Sequence, residues 1–362
     1  MEQGIRLALR ENDNKAGKFT IKYVALDSTD DAGAFLPQKI RENAETAVGN
    51  DETAVYIGDF SSSASIESIP ILSKAGVPQI SPASTRVGLT VGDSLSDVDE
   101  PERYYRGGSH NFVRVIPNDD VQAAALGALM RKDRCDKVAT IYDGQDYSQG
   151  LSVLMRLIGQ RRSFSQDVRP KERPKRYEAL AEEAARRGAN CFLYMGADNL
   201  NTFGIFEAFA RTLPGARLYG TDGVSEASLT DVGGNLGEFA NRVKLMVPPR
   251  NRDREGGFRR EFAHAYDGAS PDPYAIYGYE AAKLALDAIK ASGSGTRADI
   301  LEQLKSTKLR DSPLGTYSID SSGDTTLADY DVLTFAGGES HLEQAVTPDA
   351  LQASLGHLDR RK

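Results

Sequence analysis

The chain has 362 residues, more than one ordinary hydrophobic core accommodates, so its length predicts two lobes. Apolar residues make up 40% and charged residues 27%, which is typical of globular proteins, and no apolar run approaches the length of a membrane span. The formal net charge of -8 argues against nucleic acid as the main partner.

The first third of the chain predicts helices alternating with short strands. Residues 1–12 favour a helix with Ile5, Ala8 and Leu9 on one side, and the β-branched and aromatic run at 18–26 favours a strand. The elements predicted next are a helix at 38–48, a strand at 53–57, a helix at 62–75, a strand at 77–81, a surface excursion at 86–110 and a strand at 111–116.

Two hydroxyl clusters follow neighbouring strands of this predicted sheet. Ser61, Ser62 and Ser63 come after the strand at 53–57, and Ser84 and Thr85 come after the strand at 77–81. Carboxyl ends of parallel strands are where such sheets bind ligands, and helix amino ends favour anions. We therefore interpret the clusters as a site for a small carboxylate; the alternative is that the serines only cap the helix.

From residue 119 the alternation restarts and predicts a second doubly wound unit. Its predicted strands lie at 137–142, 166–169, 191–195, 217–220 and 243–247, and further helices are predicted at 258–266, 274–291 and 297–306, followed by a hairpin of 315–320 with 330–335. The predicted domains are lobe one, 1–118 plus 250–320, lobe two, 119–249 plus 321–346, and a tail, 347–362. With these bounds the chain passes between the two lobes three times. Three neighbouring connections of this kind predict a hinge, and two lobes on a hinge enclose a cleft.

Nothing in the sequence predicts catalysis. The four histidines are scattered without triad or metal-ligand spacing, and neither a GxSxG turn nor a phosphate-binding glycine loop occurs. No catalytic residue, metal site or cofactor is therefore predicted.

Three stretches carry a resemblance to a known family: GDFSSSASIESIPILSKAGVPQISPAST, IYDGQDYSQGL and YGTDGVSEASL, in that order. They resemble the type I periplasmic solute-binding proteins, in the branch that binds branched-chain amino acids (Leu/Ile/Val) for ABC importers. The resemblance implies an α/β fold of two doubly wound parallel-sheet lobes on a three-segment hinge. It also implies capture of a small amino acid or related carboxylate in the inter-lobe cleft, a membrane permease as partner and a periplasmic or cell-surface location. The alternatives are a ligand-sensing receptor domain of this fold, or an enzyme acting on a small carboxylate or amide.

For lobe one, the resemblance implies five ligand contacts. Ser62 matches a serine that binds the ligand carboxylate, Ser84 and Thr85 match a second clamp, and Ala83 contributes backbone. Tyr274 matches an aromatic contact to the ligand side chain, with ordinary packing as the alternative.

For lobe two, Tyr147 matches a tyrosine that closes on the ligand, and Asp222 matches an acid that pairs with the ligand ammonium. Asp222 also suits a turn, and Tyr147 suits simple packing. Asp198 stands where the family carries an aromatic residue, which implies a more polar pocket; its alternative role is to cap the following helix.

Two further features concern the chain start and the cysteines. The family begins with a strand before the first helix, so we expect lobe one to lack its first strand, and we expect a shortened gene start that has also lost a secretion signal. In the usual 2-1-3-4-5 strand order, Cys135 and Cys191 lie at the same end of neighbouring strands, either as a disulfide or as two buried thiols.

Overall fold

The computed structural model describes residues 1–30, 35–92, 99–157, 162–168, 174–197, 201–229, 238–250, 256–337 and 339–346. The helices are α1 Glu2–Glu11, α2 Pro37–Val48, α3 Ser62–Lys74, α4 Asp119–Lys132, α5 Asp146–Leu157, α6 Pro174–Arg186, α7 Thr202–Thr212, α8 Gly257–Ala265, α9 Ala275–Ser292 and α10 Arg297–Lys305. The strands are β1 Lys15–Ala16, β2 Phe19–Thr20, β3 Tyr56–Ile57, β4 Gln79–Ser81, β5 Phe112–Arg114, β6 Val138–Tyr142, β7 Arg162–Asp167, β8 Cys191–Met195, β9 Arg217–Gly220, β10 Val243–Val247, β11 Tyr330–Ala336 and β12 Glu339–Val346.

The chain divides into two compact units. Unit 1 comprises Met1–Asn118 and Pro249–Leu327, and unit 2 comprises Asp119–Pro248 and the described residues from Ala328 onward. Residues 321–327, which the sequence predicts for lobe two, pack in unit 1 because Asp324 forms a buried ion pair with Arg114 there. The predicted tail at 347–362 lies outside the described residues.

Unit 1 is built on a three-stranded parallel sheet of order β3-β4-β5. The predicted amino-terminal helix is confirmed as α1, whose apolar side, including Ile5, Ala8 and Leu9, belongs to the same core as α9. Gly4 permits this close packing, because a Cβ at that position would lie 1.9 Å from the carbonyl oxygen of Ala275. The unit thus has a small sheet stabilised by long helices.

The prediction of a strand at 18–26 is wrong. Only Phe19–Thr20 is a strand, paired with Lys15–Ala16 in a separate hairpin, and the side chains of Val24 and Leu26 are exposed. A strand requires a neighbour for its backbone N–H and C=O groups, and β3 pairs only with β4 in the described residues. The strand preference of the side chains at 18–26 is therefore not enough to form a strand there.

The surface excursion predicted at 86–110 is also only partly correct. The segment from Arg86 to Thr90 is buried, as are Glu100 and Tyr104. Arg86 donates from Nε to Glu100 Oε1 at 3.1 Å, so two charged residues neutralise each other inside the unit. Polar composition therefore does not make this segment solvated, because its charges pair inside the unit.

Unit 2 contains a seven-stranded mixed sheet of order β12-β11-β10-β9-β8-β6-β7. Its parallel part, β7-β6-β8-β9-β10, has the predicted 2-1-3-4-5 order. The prediction that 315–320 forms a hairpin with 330–335 is wrong. Strand β11 pairs antiparallel with β10 and β12, whereas Tyr317 and Ile319 form only isolated bridges within unit 1. The sheet is therefore not wholly parallel, because two antiparallel strands extend one edge.

Cys135 and Cys191 form a disulfide with a Cα–Cα distance of 5.6 Å, which resolves the alternative left by the sequence. The pair joins the start of β8 to the chain just before β6, at the end of the sheet opposite the strand carboxyl ends. Across the ranges given above, none of the helices has both the length and the apolar character needed to span a membrane.

Candidate functional site

In unit 1, the loop after β3 leads directly into the amino end of α3. Ser61 is the N-cap of this helix, and its Oγ accepts a hydrogen bond from the Ala64 N–H at 3.1 Å. The N–H groups of Ser62 and Ser63 have no acceptor within the part of the chain that the structure describes. Two first-turn donors therefore remain for an anion, and the helix dipole favours one there.

Two hydroxyl groups of the predicted clamp retain donor capacity. Ser62 Oγ accepts from the Arg86 N–H at 3.1 Å, which leaves its own proton unused. The Thr85 hydroxyl has no hydrogen-bond partner among the described residues, although Thr85 is only 2% exposed. Both hydroxyls can therefore donate a hydrogen bond to a ligand oxygen.

Ser84 and Ala83 are held differently. Ser84 Oγ lies 3.1 Å from the carbonyl oxygen of Asp59 and 2.8 Å from Ser65 Oγ, so its hydroxyl both donates and accepts within the protein. The Ala83 N–H donates to Ser81 Oγ at 3.3 Å, and its carbonyl has no donor in the described residues. Ser84 thus holds the loop together, and Ala83 offers a free backbone acceptor.

A buried acid that the sequence reasoning missed lies beneath this loop. Asp59 receives hydrogen bonds from Ser68 Oγ at 2.5 Å and from the Tyr56 hydroxyl at 3.1 Å. Burial raises the pKa of Asp59 to about 6, against the opposing effect of these two donors. Its backbone carbonyl accepts from both Ser81 and Ser84, so Asp59 connects β3 to the loop that carries the clamp.

An aromatic cluster adjoins the clamp. Phe60 stacks with Phe35 at 6.1 Å and meets the Tyr274 ring edge-on at 5.0 Å, measured between ring centroids. Phe60 is 37% exposed and directly precedes the cap residue Ser61. The structure therefore brings the predicted contact Tyr274 close to the clamp and adds Phe60, which the sequence reasoning overlooked because a single aromatic residue in a polar loop is a weak signal.

In unit 2, the structure brings Tyr147 and Asp222, two residues for which the resemblance implies ligand contacts, into contact with each other. The Tyr147 hydroxyl lies 2.5 Å from Asp222 Oδ1 and 3.0 Å from Gln122 Oε1. Burial, together with the charges of Asp222 and Asp119, raises the pKa of Tyr147 well above its ordinary value, so the phenol stays a donor. Burial also raises the pKa of Asp222, although the hydrogen bond from Tyr147 opposes the shift.

A second aspartate fixes the strand-end loops around this pair. Asp143 Oδ1 accepts from Ser148 Oγ at 2.6 Å and from the Gln145 N–H at 3.1 Å. Its Oδ2 accepts from the Ala197 N–H at 2.9 Å, which joins the end of β6 to the end of β8. Asp143 thereby orients the start of α5, where Tyr147 lies.

Asp198 lies outside the described residues. Gln122, by contrast, is described and was missed; its signal was one amide on the otherwise alanine-rich buried side of α4. Arg114 was also missed, although a lone cation in the apolar strand sequence NFVRVI is unusual and indicates a buried partner.

A family model and a named relative each match most of this chain. The family model described as Periplasmic binding protein matches residues 1–339. Leu/Ile/Val-binding protein homolog 2 of Brucella abortus is 26% identical over 345 residues, which are 94% of this chain and 86% of that protein.

Two solved structures share the fold. The leucine-binding protein LivK of Thermotoga maritima matches with a TM-score of 0.78 at 22% identity, over 96% of this chain and 93% of that one. LivJ of Streptococcus pneumoniae, a branched-chain amino acid transporter substrate-binding protein in complex with isoleucine, matches with a TM-score of 0.77 at 18% identity, over 95% and 92%. Because the family model spans nearly the whole sequence, this chain belongs to the periplasmic binding protein family.

Proposed function

We propose that this protein is an extracytoplasmic solute-binding protein that captures a small amino acid, or a related carboxylate, and delivers it to the permease of an ABC importer. Family membership and the ligands named for its relatives support this function. The proposal includes the predicted lobes, hinge and inter-lobe cleft, and it assigns no catalytic step and no cofactor to the chain.

The observation that carries the proposal is the opposite chemical preference of the two half-sites. Unit 1 offers neutral donors to a carboxylate: the hydroxyls of Ser62 and Thr85 and the free N–H groups at the start of α3. Unit 2 offers the buried carboxylate of Asp222 to a cation. A zwitterionic amino acid carries both matching groups.

Hydrogen bonds from the two half-sites to a charged ligand are strong enough to give micromolar affinity. A hydrogen bond to a charged group contributes about 1.5–3 kcal/mol. Four or five such bonds, less the cost of association, support micromolar or tighter binding. Because one ligand would contact both units, the closed arrangement gains contacts that the open one lacks, which is the condition for ligand-driven closure.

The aromatic cluster extends the proposal to the ligand side chain. Phe60 and Tyr274 present ring surface beside the clamp, and burying aliphatic or aromatic ligand atoms against it would contribute about 25 cal/mol per Å². We therefore expect leucine-sized or aromatic side chains to be preferred over small polar ones.

Thermal shift and isothermal titration calorimetry against the twenty amino acids and their deaminated acids test this function. We expect a shift with one or a few amino acids, loss of that shift in Asp222→Ala, and a weakening of about tenfold or more in Thr85→Val. Thr85→Val is nearly isosteric and breaks no protein hydrogen bond in the described residues, so its melting temperature should stay close to that of the wild type. Absence of binding to every ligand, accompanied by turnover of some substrate, would refute the proposal.

A further inference from the structure

A buried guanidinium lies beneath the predicted clamp of unit 1. Arg114 is the last residue of β5 and is 0% exposed. Its Nη1 donates to the carbonyl oxygens of Ser84 at 3.0 Å and Arg86 at 2.9 Å, the two residues that flank Thr85. One nitrogen atom therefore fixes the peptide group that precedes Thr85 and the peptide group that follows Arg86.

The same side chain reaches the segments through which the chain leaves unit 1. Arg114 Nε donates to Asp324 Oδ1 at 2.7 Å, and Asp324 Oδ2 accepts from Asn118 Nδ2 at 2.8 Å. Asn118 is the last residue before the chain first enters unit 2, and Asp324 closely precedes Leu327, where unit 1 ends. Arg114 thus connects Thr85 to two of the three chain connections between the units.

Backbone contacts make this connection stiff. The Arg114 N–H donates to the carbonyl of Gly323 at 3.0 Å, and a Cβ on Gly323 would lie 2.3 Å from the Phe112 carbonyl oxygen. Gly323 has a φ of 98°, so a glycine is required both by conformation and by space. The Asp324 N–H in turn donates to Asp320 Oδ1 at 2.9 Å, which fixes the turn that presents the Asp324 carboxylate.

We infer that Arg114 and Asp324 are positioning residues: they set the geometry of the Thr85 clamp and couple its occupancy to the chain connections at Asn118 and Leu327. Removing one partner of a buried ion pair leaves the other charge uncompensated, so Arg114 has to move if Asp324 is neutralised. Its carbonyl acceptors at Ser84 and Arg86 would move with it. The part of the inference that concerns ligand occupancy rests on the proposed function.

Asp324→Asn tests the inference, with Glu280→Gln as its matched control. Glu280 forms another buried ion pair of unit 1, with Arg310 at 2.5 Å, and its hydrogen bonds go to Arg310 and Tyr317, not to the clamp loop. The first readout needs no ligand: hydrogen exchange of the Arg86 amide, which donates to Ser62 Oγ, relative to the α10 amides of the same unit. We expect this relative rate to rise about tenfold in Asp324→Asn and to stay unchanged in Glu280→Gln.

The second readout is the affinity for whichever amino acid the wild type binds. We expect Asp324→Asn to weaken it by about tenfold more than Glu280→Gln does, although both variants lose stability. In the wild type, that ligand should also slow exchange at residues 320–327, and Asp324→Asn should abolish this slowing.

Equal effects of the two variants on Arg86 exchange and on affinity would overturn the inference. If the wild type binds no ligand while Arg86 exchange still responds selectively, the proposed function fails and the positioning of the clamp stands.

Should Asp324→Asn not fold, Thr90→Val removes the Oγ1 acceptor of Arg114 Nη2 with little change in shape. Thr90→Val should raise the exchange rate of the Arg86 amide, relative to the α10 amides, by about threefold. An unchanged relative rate would overturn the inference.

Discussion

Asp59 gives unit 1 a stability that depends on pH in a predictable direction. Its carboxyl is buried and surrounded by Tyr56, Ser68 and Gln79, none of which is cationic. Burial raises its pKa from 3.8 to about 6 in the folded protein. The folded state therefore binds this proton more tightly than the unfolded state, so the stabilisation is complete below about pH 4 and is lost as the pH rises through 6.

The size of the effect follows from the same shift. About two pH units at 1.36 kcal/mol each amount to about 3 kcal/mol between pH 3.5 and 7.5. Asp59→Asn keeps the shape of the side chain and cannot ionise, so it should not show this loss. Urea unfolding followed by circular dichroism at several pH values measures the difference between variant and wild type, in which the titration of all other groups cancels.

Asp299→Asn is the control, because the hydrogen bonds from Ser294 and Thr296 lower the pKa of Asp299 in the folded protein. Its stabilisation should be present above the unfolded pKa and lost as the pH falls, which is the opposite sign. A free-energy difference between Asp59→Asn and the wild type that stays constant from pH 3.5 to 7.5 would show that the burial argument is wrong.

Four other outcomes are expected. Ser84→Ala should lower the free energy of unfolding by about 2 kcal/mol, because two internal hydrogen bonds are lost; an unchanged urea midpoint would contradict this. In calorimetry, Phe60→Ala should weaken leucine binding about tenfold while alanine binding barely changes, and equal losses would exclude an aromatic contact. Because burial raises the pKa of Asp222, binding should weaken as the pH falls through that value, whereas a flat profile in Asp222→Asn is the matching control. Replacing both Cys135 and Cys191 by alanine should cost about 4 kcal/mol, given a sequence separation of 56 residues, and thiol titration of the denatured wild type should find no free thiol.

The sequence predicted those parts of the fold that local pattern determines. The helix at the amino terminus and α3 were both correct, because apolar spacing and a serine cap specify a helix without reference to the rest of the chain. The order of the parallel strands in unit 2 was correct because βαβ connections leave few alternatives.

The errors arose where distant residues decide the outcome. The run at 18–26 has strand composition but no strand beside it, and β12 was missed because its residues are largely exposed and polar. At the candidate site, motif resemblance implied ligand contacts for Tyr147, Asp222 and Tyr274; those contacts stay predictions, and the structure adds that Tyr147 lies against Asp222. The resemblance missed Asp59 and Arg114, whose roles depend on partners far away in the chain, such as Asp324.

The most direct test of the central claim compares amino acids with the same molecules lacking the amino group. Calorimetry with leucine and 4-methylpentanoate, and with phenylalanine and 3-phenylpropanoate, isolates the ammonium contact. If Asp222 binds the ammonium while Ser62 and Thr85 bind the carboxylate, the wild type should prefer the amino acid of the pair that binds by about tenfold or more, and Asp222→Asn should abolish that preference. Equal affinity of the wild type for both members of each pair, or an undiminished preference in Asp222→Asn, would contradict the account.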